Sequence, residues 1–96
     1  RMTEKELSEY TDLMMINALK IAIGFIDREV PREEWEDNLQ GLHQVMISEG
    51  RLDEDNAEFL VNAARDFLNE HGDQPDFLRA MLEGAKSGFS EDLHKA

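Results

Sequence analysis

Between Leu13 and Ile26 the chain reads LMMINALKIAIGFI, and the polar residues in this run fall on one narrow line. At roughly 100° per residue in a helix, Asn17, Lys20, Gly24 and Asp27 share that line, and everything else from Leu13 to Ile26 is apolar. A peripheral helix in a small bundle buries a stripe only somewhat wider than about 100°. A single neighbour therefore cannot cover this segment. It must be a central helix wrapped by the rest of the chain, be covered in part by a second copy, or leave an open hydrophobic groove for another protein. Three partner helices of ordinary stripe width make complete wrapping demanding, so a homodimer is expected. Met14, Met15, Leu19, Ile23, Ile26 and Trp35 are the residues expected in the core or at the self-association seam.

The remaining segments read as helices as well. Thr3 followed by Glu6 is a capping-box pattern that starts the first helix, expected over about 3–28. Pro31 lacks an N–H and disfavours helical geometry at the residue before it, so it ends that helix and suits the first turn of the next. The second helix, about 31–48, carries Trp35, Leu39, Leu42 and Met46 as one stripe and stops at Gly50. Asp53 caps the third, about 53–71, whose apolar face includes Leu60, Ala64, Phe67 and Leu68. Pro75 opens the fourth, about 75–87, with Phe77, Leu78, Met81 and Leu82, before Gly84 and Gly88 loosen its end. The last residues, 88–96, are expected to form a flexible tail with at most one turn capped by Ser90. No period-two alternation and no Asn-Gly or Asp-Gly hairpin signal occurs. The fold expected is a compact all-α four-helix domain occupying residues 1–96, with Arg1 ahead of Met2 set aside as a cloning remnant.

Charge narrows the possible partners. The chain has 22 acids against 10 bases, a formal net charge of −12. Such a surface repels phosphate backbones and anionic headgroups, so direct nucleic-acid and membrane binding are not expected. A basic protein surface is its natural complement. The apolar run on the first helix is too short for a bilayer span of about 20 residues, and the acidic start MTEKELSEY lacks the basic opening of a secretory signal. With no cysteine there is no disulfide framework and no thiolate chemistry. A cytoplasmic protein is expected.

The sequence lacks recognisable residue patterns that carry catalysis. Of the three histidines, only His94, with Glu91 three residues before it, has a spacing used by carboxylate–histidine metal sites, and it occurs once. DEDNAE lacks the glycine and terminal glutamate of a calcium loop. EGAKSG lacks phosphate-loop spacing and a preceding strand. No serine sits in a nucleophile elbow. No catalytic residue, metal or cofactor is expected, and the chain is not expected to be an enzyme. The expectation is a small acidic protein-binding module, an inhibitor, antitoxin-like protein or adaptor acting on a basic protein. Glu33, Glu34, Glu36 and Asp37 at the start of the second helix, with Asp53, Glu54, Asp55 and Glu58 at the start of the third, would form its acidic face. The alternative is a nucleic-acid mimic, with carboxylates laid out like phosphates in the groove of a DNA-binding protein.

Overall fold

The computed structural model describes residues 1–94. Among them the chain forms four α-helices and no strand: α1 (Glu4–Asp27), α2 (Trp35–Ser48), α3 (Glu54–His71) and α4 (Pro75–His94). The all-α four-helix expectation therefore holds.

Each start signal acts as its chemistry requires. The Thr3 backbone N–H donates to Glu6 Oε1 at 3.0 Å, and the Glu6 N–H donates to Thr3 Oγ1 at 3.1 Å. These two bonds satisfy donors that a helix start leaves without partners. Asp53 Oδ1 accepts from the Asn56 N–H at 2.8 Å in the same way. Pro31 imposes a tighter start than expected. A 3-10 turn, Arg32–Glu34, precedes α2, and the Glu34 N–H donates to the Pro31 carbonyl at 2.9 Å.

The ends of α1 and α2 share one geometry. Val30 N–H reaches Phe25 O and Glu29 N–H reaches Ile26 O, both at 3.0 Å. Arg51 N–H reaches Met46 O and Gly50 N–H reaches Ile47 O, again both at 3.0 Å. This pairing requires a left-handed residue after the helix. Gly50 supplies it after α2 with φ 69°, whereas after α1 it is Glu29, with φ 56°.

The long pair α1 and α4 runs antiparallel, fixed near its two ends by Arg79 on Asp27 at 2.6 Å and Ser8 on Asp92 at 2.6 Å. The α2–α3 pair is also antiparallel, since Glu36 meets Arg65 and Trp35 abuts Gly72. α1 packs closely on both α4 and α3, while α2 packs on α3 rather than on α1. Fully buried alanines, Ala18 and Ala22 on α1 and Ala57 and Ala64 on α3, keep side-chain bulk low where helices meet. Leu19, Leu39, Leu68 and Leu78 are the largest side chains excluded from solvent.

This arrangement covers most of α1 from within one chain. Met14, Ile16, Leu19 and Phe25 are all buried. Of the residues expected in the core or at a seam, Met14, Leu19 and Trp35 are buried, and Met15, Ile23 and Ile26 are partly buried against the core. α3 and α4 cover a broad arc of α1, while Leu13 stays 43% exposed and the side that carries Lys20 and Ile21 stays open.

The C-terminal helix is longer than expected. α4 continues through Gly84 and Gly88 to His94, beyond the expected end at 87. Packing along α1 and the Ser8–Asp92 bond hold the segment that glycine propensity alone would release. Residues 88–94 are thus helical; the last two positions of the expected tail lie outside the described residues.

Candidate functional site

Every residue of the expected acidic face is exposed, but the two clusters do not form one surface. Because α2 and α3 are antiparallel, Glu33, Glu34, Glu36 and Asp37 lie at one end of the hairpin and Asp53, Glu54, Asp55 and Glu58 at the other. The 14 residues of α2 stand between them, a rise of roughly 20 Å. The continuous acidic face is corrected to two separate ends.

Glu36 is also committed to a neighbour. Arg65 Nε and Nη2 donate to its two carboxylate oxygens at 2.8 and 2.7 Å, a bidentate fork. That fork holds the Glu36 carboxyl below its ordinary range and raises the Arg65 guanidinium. Asp53 is partly engaged as the α3 cap. Glu33, Glu34 and Asp37 at one end, and Glu54, Asp55 and Glu58 at the other, carry no ion pair among the described residues.

Tertiary structure enlarges the end at the start of α3. The Tyr10 hydroxyl donates to Asn56 Oδ1, which brings the first turns of α1 beside the first turn of α3. Burial and the nearby Asp53 carboxylate push the Tyr10 phenol upward. The Ser8–Asp92 bond brings the last turns of α4 to the same end. Glu4, Glu6 and Glu91 thereby join Asp53, Glu54 and Asp55 there. Sequence reading missed these three because they come from segments about 50 and 90 positions apart, whose adjacency is a matter of packing.

Between α1 and α2 a groove of about 580 Å³ remains open. Phe25 and Leu60 form its apolar floor, Ile21 and Leu42 its partly buried sides, and Val45, 46% exposed, its rim. Two charged residues line it, Lys20 and Arg28, and both are cations. The Arg28 guanidinium lies 5.6 Å from the Phe25 ring centroid. A legible signal for this site existed: a lysine interrupts the otherwise apolar run of α1 on its narrow polar line.

The histidines occupy ordinary settings. His43 lines a cleft of about 290 Å³ between α2 and α3 with Glu58 and Arg65. His71 Nδ1 lies 2.9 Å from Gln74 Oε1, with its ring 4.6 Å from that of Phe77. His94 Nδ1 lies 2.7 Å from the Ser90 carbonyl. Among the described residues, no three His, Asp or Glu side chains converge in a way that could hold a metal, and no helix is long and apolar enough to cross a membrane.

Comparison with known proteins yields no family, no curated relative and no solved structure that matches this chain.

Proposed function

We propose that this chain is a non-enzymatic protein-binding module acting on a basic protein in the cytoplasm. The observation that supports this reading is the concentration of exposed carboxylates at the shared end of α1, α3 and α4. Glu54 and Asp55 there make no ion pair among the described residues. Exposed carboxylates of one sign repel one another and add little to stability, so a basic surface docked there relieves repulsion that folding alone leaves in place. The acidic start of α2 is a second, smaller contact of the same kind.

A nucleic-acid mimic needs its charges in one continuous row, and two ends separated by the length of α2 do not provide it. Because α3 and α4 cover most of α1, a monomer is the binding species in this reading, in place of the homodimer expected from the sequence.

The test is retention of partners from the native host on immobilised protein at physiological salt. Wild type should retain one or more basic proteins, and a Glu54→Gln, Asp55→Asn, Glu58→Gln variant should release them, mainly through slower association with weaker salt dependence. The companion variant Glu33→Gln, Glu34→Gln, Asp37→Asn reports on the other end. Equal retention by wild type and both variants would remove the electrostatic basis of the proposal.

A further inference from the structure

In a chain with more than twice as many acids as bases, cations usually find carboxylates. Lys5, Arg51, Arg65, Arg79 and Lys86 each do so here. Arg1, Lys20, Arg28 and Arg32 make no ion pair among the described residues, and of these Lys20 and Arg28 share one site. Both line the open groove between α1 and α2, where no carboxylate accompanies them. The two neighbouring clefts differ in this respect, one containing Glu58 and the other Asp66 and Glu70.

The groove runs the length of a short helix. From Asn17 to Arg28 its α1 wall rises roughly 16 Å, about three helical turns. α2 stands off from α1 along this length because its packing partner is α3. Ile21, Leu42 and Val45, above a floor of Phe25 and Leu60, offer the apolar surface that the i, i+3 or i+4, and i+7 side chains of an inserted helix seek. Lys20 and Arg28 lie eight residues apart, roughly 12 Å along the axis. Two carboxylates two turns apart on one helix have nearly that separation, whereas a fatty acid carries one carboxylate and can meet one cation at a time. A second copy is a poor occupant, since it would bring another charge of −12 toward the first.

We propose that the α1–α2 groove binds an amphipathic helix of a partner protein, with an apolar stripe on Ile21, Leu42 and Val45 and flanking carboxylates on Lys20 and Arg28. The site is independent of the acidic ends and opposite to them in sign, so one molecule presents two docking surfaces of complementary preference. A protein with two such surfaces works as an adaptor.

The experiment uses defined probes and the intact chain. Fluorescence anisotropy follows a labelled alanine-rich helical peptide of about four turns, carrying leucines at i, i+3 and i+7 and glutamates two turns apart beside that stripe. A second peptide replaces the glutamates by lysines, and dodecanoate serves as a third probe. The glutamate peptide should bind, the lysine peptide should bind at least about tenfold more weakly, and Lys20→Glu with Arg28→Glu should reverse that order. Val45→Asp, at an exposed rim position, should abolish binding while leaving the circular dichroism of the protein unchanged. Equal binding of both peptides, or an order insensitive to the charge reversal, would overturn the assignment. So would binding of dodecanoate alone, or a dimer in sedimentation that Val45→Asp dissociates. Loss of basic partners at the acidic ends has no bearing on any of these readings.

Discussion

Glu29 and Gly50 occupy equivalent positions after α1 and α2, and both adopt left-handed backbone geometry. For a residue with a Cβ this conformation costs roughly 1 kcal/mol, which glycine avoids. Replacing Glu29 by Gly should therefore raise stability by about 0.5–1 kcal/mol, and replacing Gly50 by Ala should lower it by about 1 kcal/mol. Urea unfolding of the two variants checks both signs. Carboxylates make a second prediction at this scale. The Thr3 hydrogen bonds lower the Glu6 carboxyl, and the Arg65 hydrogen bonds lower that of Glu36, each from an ordinary value of 4.5. Since folding depresses these values, the stability they contribute is fully present above about pH 4.5 and is lost as pH falls through the folded values. A Glu36→Gln variant should show a flatter fall in stability below pH 4.5 than the wild type. Identical acid limbs for the two proteins would show that the Arg65 fork contributes nothing in solution.

At the scale of elements, α4 departs most from what its residues prefer. Gly84 sits in its interior with nothing within 4 Å of where a Cβ would stand. Gly84→Ala should therefore stabilise the protein by about 0.5–1 kcal/mol, read from the shift in thermal midpoint. Gly72, between α3 and α4, has the opposite sensitivity. A Cβ there would lie 2.5 Å from Cη2 of Trp35, the indole that closes the end of the α2–α3 pair and donates from Nε1 to the Val30 carbonyl at 2.9 Å. Gly72→Ala should cost about 1–3 kcal/mol through overpacking. The two glycines look alike in the sequence. They differ because one faces solvent and the other faces a fixed ring.

The whole molecule measures 45 × 32 × 17 Å along its principal axes, and its charge is distributed by topology rather than by segment. With most of α1 covered by α3 and α4, sedimentation should report a single species of 11.1 kDa, and the thermal midpoint should not change with protein concentration. A midpoint that climbs with concentration would instead show that a second copy completes the fold. Duplex DNA should not bind detectably at physiological salt, because two exposed cations in one groove displace few counterions from a polyanion.

Helix number and most helix starts were legible in the sequence. They depend on local chemistry: the Thr3–Glu6 reciprocal bonds, the Asp53 cap, the missing N–H of Pro31, and apolar residues recurring at helical spacing. The near-complete apolar circumference of α1 also announced, without any neighbour, that this helix would be covered from more than one side. Only the tertiary structure decided which surface covers it, because stripe width does not say which stripes meet. The same holds for the continuation of α4 past Gly84, where contact with α1 outweighs weak helical preference. It holds again for the acidic residues, which sequence order groups by helix start and antiparallel packing separates to opposite ends. Lys20 and Arg28 are ordinary polar interruptions when read along the chain; they become a paired feature because α2 turns toward α3 and leaves that side of α1 uncovered.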